Sequence, residues 1–173
     1  MDGKTSSPNG RIAIDARMLR HSGIGVVLEN LLRYWGKEGG PELCLLGNRE
    51  KLAASLPPSL EAPWVDWDPP VYSVRAALHP PRLPRDVRVW FGPHYATCLR
   101  PPVPLVCHIH DILHITHPTR RGTAGFMRAH LLALSRRAVF ITTPSRHVKV
   151  QLQTLHGFPP HRILIAGNGP GVV

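Results

Sequence analysis

Short apolar segments alternate with amphipathic ones along most of the chain. Seven segments are rich in β-branched, leucine and aromatic residues and are bounded by Gly, Pro or polar residues, which is typical of β-strands. They cover residues 11–15, 42–47, 62–67, 87–92, 103–110, 138–143 and 162–167. Several are apolar at nearly every position, as expected of strands buried on both faces of a sheet.

Helical spacing of apolar residues separates most of these strands. The clearest stripe lies in residues 23–35, and Gly36 and the pair Gly39–Gly40 are expected to end that helix. Helices are also predicted over 48–56, 74–78, 123–137 and 145–155. In the fourth, Phe126, Leu131 and Leu134 are the expected apolar anchors. Ser145 is the expected N-cap of the last, since its hydroxyl can accept a bond from a free N–H of the first turn.

Strands that alternate with helices predict an α/β fold: a Rossmann-like, doubly wound, mostly parallel sheet of about seven strands in a single domain. We expect this domain to span residues 11–169, after a disordered lead-in over residues 1–10.

The net charge of +10 is unevenly distributed. All 11 acidic residues lie at or before Asp111, whereas residues 112–173 hold seven arginines and one lysine. Such a field attracts anions. The basic segment that starts at Arg120 presents Arg121, Arg128, Arg136 and Arg137, with Met127 expected at its surface. This segment is either an ordinary solvated face or one that contacts anionic membrane. No nucleic-acid-binding motif accompanies it.

Three scattered cysteines exclude a disulfide framework and a cysteine-rich zinc site. The sequence has neither a signal-peptide core nor an 18-residue apolar run. A cytoplasmic location, free or peripheral at the inner face of the membrane, is therefore expected.

Gly23 and Gly25 lie between the first strand and the first helix. Glycines there allow a ligand to approach the backbone, and the helix N-terminus offers free N–H donors to an anion. Leu28 occupies the third glycine position of the dinucleotide fingerprint, which therefore fails. The pair predicts either a ligand-binding loop or merely a flexible one.

The segment "CHIHDILHITHP" (residues 107–118) holds four histidines and Asp111 at the end of a predicted strand. His108 and His110 share one strand face, and ligands of open parallel sheets bind outside the carboxyl ends of the strands. A metallo-hydrolase HxHxDH pattern fails at Ile112 and Leu113. Metal binding is the least favoured reading, because a zinc site needs three or four convergent ligands. The others are a structural histidine or a substrate-handling one; for the latter, His110 is the candidate, and we expect His108, His114 and His117 to be incidental to chemistry.

Five segments in this order resemble the N-terminal domain of family 4 retaining glycosyltransferases of the GT-B architecture. They are "DARML..SGIG", "VWFGPH", "PVPLVCHIHDI", "AVFITTPSRHVKVQL" and "RILIAGNG". The resemblance implies the acceptor-side half of an enzyme that transfers mannose or a similar hexose, with retention, from a nucleotide-sugar to a saccharide or lipid-linked acceptor. It also implies that the donor domain, which carries a pair of glutamates in the family, is absent, so that this chain alone is inactive.

The same resemblance assigns candidate residues. His110 would touch the transferred sugar, and Gly23, Ile24, Gly25, Asp111, Ser145 and Arg146 would contact acceptor or donor. Asn168 and Gly169 would form the hinge, and residues 170–173 would begin the interdomain linker. No cofactor, metal or nucleic acid is expected. The alternative function is a stand-alone basic Rossmann-like module that binds an anionic ligand.

Overall fold

A computed structural model describes residues 10–58, 60–117 and 122–167. The expected lead-in over 1–9, Arg121, the hinge pair Asn168–Gly169 and the linker at 170–173 lie outside these ranges.

Seven strands form one parallel sheet in the order β3-β2-β1-β4-β5-β6-β7, and helices flank it, so the α/β fold is confirmed. The strands are β1 Arg11–Asp15, β2 Leu43–Leu46, β3 Trp64–Val65, β4 Val87–Gly92, β5 Leu105–His108, β6 Ala138–Thr143 and β7 Ile163–Ile165. The helices are α1 Ser22–Glu38, α2 Arg49–Leu52, α3 Val74–Leu78, α4 Leu113–Thr116, α5 Thr123–Arg137 and α6 Arg146–His156. Short 3₁₀ turns occupy Ala16–Met18, Ala53–Ser55 and Pro160–Arg162.

The two faces of the sheet are packed against different helices. Apolar residues of α3, α5 and α6 form one buried cluster with one face of the sheet, around Trp90, Cys107 and Ile141. On the opposite face, α1 packs on β1 and β2 through Leu28 and Leu32. This division is the one expected when every crossover has the same hand, because the chain moves outward from β1 first toward β3 and later toward β7.

Of the glycines expected to end α1, Gly39 does so and Gly36 does not. The helix continues through Gly36 and is capped at Gly39, whose φ of 69° is left-handed and whose N–H bonds to the Trp35 carbonyl. One helical glycine costs about 1 kcal/mol, and the packing of Leu32 and Trp35 outweighs it. The predicted exposure of Met127 was wrong: it is 1% exposed and belongs to the core, whereas the expected anchor Phe126 is 37% exposed.

Strand β5 is shorter than predicted and ends at His108, so His110 lies beyond the strand. The chain leaves the sheet after the Ile109 N–H bonds to the Thr142 carbonyl. It then enters α4, a helix that the sequence did not predict.

Candidate functional site

The carboxyl ends of β1 and β4 meet at the point where the strand order reverses. The chain goes outward from β1 to β3 and then returns to place β4 on the other side of β1. Ligands of open α/β sheets bind in the crevice outside such a point. The segments that follow β1, β4, β5 and β6 therefore form the candidate site.

His110 is half-buried at this edge, and its ring lies 4.3 Å, centre to centre, from that of His108. Burial lowers the pKa of His110, although a hydrogen bond to the Pro93 backbone and the charge of Asp111 oppose the shift. The ring is therefore neutral near pH 7. A neutral imidazole has one nitrogen that donates and one that accepts, so this ring is able to accept a hydrogen bond from a hydroxyl group.

His108 is buried, and its Nδ1 lies 2.8 Å from the Thr142 Oγ1 on the neighbouring strand. This bond crosses from β5 to β6 and fixes the ring that His110 contacts. His117 lies farther along and is exposed, with its Nδ1 3.0 Å from the Thr116 Oγ1.

Asp111, a predicted binding residue, makes a hydrogen bond within the fold. Its Oδ1 accepts a hydrogen bond of 2.9 Å from the Leu113 N–H, at the start of α4. The carboxylate thus satisfies one of the free N–H groups of that helix, which explains an acidic residue at this position without a ligand.

The glycine pair begins α1, and its two members differ. A Cβ added at Gly25 would lie 2.5 Å from the Leu19 carbonyl oxygen and 2.8 Å from that of Met18, so glycine is needed for close packing. A Cβ at Gly23 would meet nothing within 4 Å. Gly23 is exposed and Ile24 half-buried, so this first turn of α1 borders solvent.

Ser145 caps α6 as predicted, since its Oγ accepts a 3.3 Å bond from the Val148 N–H. Arg146 is exposed at the first position of the same helix. Both follow β6 and therefore lie on the carboxyl edge of the sheet.

A cluster of aromatic and histidine rings beside the site was missed by sequence reasoning. His94 packs on Tyr95 with ring centres 4.1 Å apart, and Tyr72 lies 5.8 Å from His94 and 5.5 Å from His114. Hence His114, which we expected to be incidental, belongs to this cluster. Only the "GPH" at the end of β4 pointed to it, because Tyr72 and His114 come from distant parts of the chain.

A buried polar network also connects the segments around the point where the strand order reverses. Arg17 donates to both carboxylate oxygens of Asp15, at 2.8 and 2.6 Å, and to the Pro69 carbonyl at 2.8 Å. Its guanidinium carbon lies 3.9 Å from the centre of the Trp67 ring. Thr97 donates to Asp15 at 3.4 Å, so β1 and the segment after β4 are joined below the site.

An apolar groove of about 720 Å³ opens between α1 and the sheet. Its lining includes both α1 and His110. The residues concerned are Ile12, Val27, Leu28, Asn30, Leu31, Tyr34, Trp35, Val89, Phe91, Pro93, Val106, His108, His110, Thr142, Ala166 and Gly167.

The described residues contain no group of three or more His, Cys, Asp or Glu side chains able to hold a metal ion. Burial raises the pKa of the Cys44 and Cys98 thiols to about 11 and that of Cys107 higher still, so all three are protonated at neutral pH. In the part of the chain that the structure covers, no helix has the length and apolar character needed to cross a membrane.

Comparison with protein-family models and with curated proteins found no match to this chain.

Proposed function

We propose that this chain is the acceptor-side domain of a retaining glycosyltransferase of the family 4, GT-B type. The observation that carries the proposal is the shared groove: α1 and His110 line the same cavity, and His110 lies at its end near the carboxyl edge of the sheet. The order of the resembling sequence segments agrees with this placement. In the proposed enzyme, a second domain supplies the nucleotide-sugar.

His110 positions a sugar in this proposal. Departure of the nucleotide leaves an oxocarbenium-like sugar, and a hydrogen bond at a fixed angle to one of its hydroxyls reduces the entropy lost in reaching the transition state. A neutral ring with one nitrogen bonded to Pro93 is held in one tautomer, and its other nitrogen accepts from that hydroxyl. The His108–Thr142 contact beneath the ring restricts its movement.

The first test is binding to the chain itself. Saccharides titrated into isotope-labelled protein should shift the ring resonances of His110 and the amides of residues 23–25. Nucleotide-sugars should not be turned over by this chain alone. Inorganic phosphate that reproduces the same shifts while saccharides leave them unchanged would favour the anion-binding module instead.

The second test uses the longer protein, if the gene encodes a donor domain. His110→Ala should lower turnover by about 10²–10³, the usual loss for one hydrogen bond that acts mainly in the transition state. The exposed His117 provides the matched control, and His117→Ala should leave turnover nearly unchanged. Equal turnover of the two variants, with similar thermal melts, would show that residues 107–118 are scaffold.

A further inference from the structure

One half of the sheet face that carries α1 has apolar side chains open to solvent. Phe140 and Leu164 are exposed there, and Val89, Phe91 and Val106 are only half-buried. Helix α1 packs beside β1 and β2, whereas α5 and α6 pack on the opposite face. Right-handed crossovers explain this asymmetry, because the connections from β4 onward all pass on that opposite face.

The residues that line the groove extend along the strands from their amino ends to their carboxyl ends. Ile12 and Val89 lie near the starts of their strands, and Trp35 lies near the end of α1. Pro93 and His110 lie at the carboxyl edge. The distance along β4 from Val89 to Pro93 is about 13 Å at about 3.3 Å per residue. The groove is therefore long enough for a linear chain.

Three polar side chains of the lining, His108, His110 and Thr142, lie together near the carboxyl edge. On the α1 wall, Asn30 and the Tyr34 hydroxyl are the polar groups, and the rest of the lining toward Trp35 is aliphatic or aromatic. A cavity of about 720 Å³ has the size of a small-molecule site, and this arrangement matches a ligand with an apolar tail and a polar head.

We propose that the groove holds the apolar chain of an amphiphilic acceptor, whose hydroxyl-bearing head lies at His110. The role of the ligand as an acceptor rests on the proposed function, whereas the binding of an apolar chain rests on the groove alone. It selects a lipid-linked acceptor over a free saccharide. The apolar chain supplies most of the binding free energy, and the polar head is placed beside the proposed sugar position.

The test measures binding of alkyl glucosides, below their critical micelle concentrations, to the 173-residue chain. Lengthening the alkyl chain by two methylenes should tighten binding roughly fifteenfold, since each buried methylene contributes about fourfold. Glucose alone should bind far more weakly. An alkyl chain brominated at its far end should quench Trp35, and Trp35→Phe should remove that quenching.

Two substitutions on α1 form a matched pair. Tyr34 is 60% exposed and lines the groove, whereas Val26 is 57% exposed on the same helix and is not among the lining residues. Tyr34→Glu should weaken alkyl glucoside binding about tenfold, and Val26→Glu should leave it unchanged. Both positions are on the surface, so both variants should keep the thermal melt of the parent.

Three results would overturn the proposal: affinity independent of alkyl length, equal affinity of the two variants, or a stable dimer in sedimentation that masks the groove and excludes the glucosides. Saccharide binding at His110 with no effect of alkyl length would refute the amphiphile and leave the proposed function standing. Binding that tightens with alkyl length but shifts no resonance of His110 would instead refute the claim that the groove holds the acceptor.

Discussion

Acid should destabilise this protein through His94. The ring is buried between Tyr95 and Tyr72, and its Nδ1 accepts a 3.0 Å hydrogen bond from the Ala96 N–H. Burial, together with the nearby rings of His114, His110, His130 and His21, lowers the pKa of His94 from 6.5 to about 3. The folded protein therefore keeps this ring neutral under conditions in which the unfolded chain protonates it.

The sign and size of the effect follow from the two pKa values. The contribution of the neutral His94 ring to the free energy of unfolding is fully present above pH 6.5. It is lost as the pH falls from 6.5 toward about 3. Each pH unit in this window costs about 1.36 kcal/mol. At about pH 5, roughly 1.5 units below the unfolded pKa, His94 alone lowers the free energy of unfolding by about 2 kcal/mol.

The assay is urea denaturation at about pH 7.5 and about pH 5 for the parent and for His94→Asn. Asparagine keeps an acceptor for the Ala96 N–H but does not titrate, so the loss of stability between the two pH values should shrink by about 2 kcal/mol. His117→Asn is the control, because that ring is exposed. An equal pH dependence in the parent and in His94→Asn would refute the reasoning that a buried neutral ring governs acid stability.

The other predictions concern packing, a buried ion pair and the basic surface. Gly25→Ala should destabilise the fold by about 1–3 kcal/mol in chemical denaturation because its Cβ meets backbone carbonyls, whereas Gly23→Ala, with open space, should be neutral or stabilising; equal effects would contradict this. Arg17→Leu should cost about 3–5 kcal/mol by the same assay, since it leaves the Asp15 carboxylate buried without its cation, and a loss under about 1 kcal/mol would contradict it. Affinity for anionic vesicles in a flotation assay should fall steeply as salt shortens the Debye length from about 10 Å at about 0.1 M to about 3 Å at about 1 M, and equal binding to neutral vesicles would reject membrane attraction by the basic surface.

Local sequence patterns determined the order of the elements and the edge on which the candidate site lies. The apolar runs specified strands and the 3.6-residue stripes specified helices, because each period reports which side chains one element must bury. Alternation of the two then required parallel strands, whose carboxyl ends share one edge. The N-cap at Ser145 was likewise readable, since a cap depends only on a few neighbouring residues.

Tertiary structure decided what the residues on that edge do. The pKa of His110 depends on burial and on Pro93, the ring cluster joins Tyr72 to His94 and His114, and Asp15 meets Thr97 across the switch point. These contacts follow from the strand order, which no local period encodes. The groove could not be predicted from the sequence either, because an apolar residue in a strand gives the same pattern whether or not a helix covers it. The reversal of strand order at β1 puts α1 on one face and α5 and α6 on the other, which leaves one half of the α1 face open.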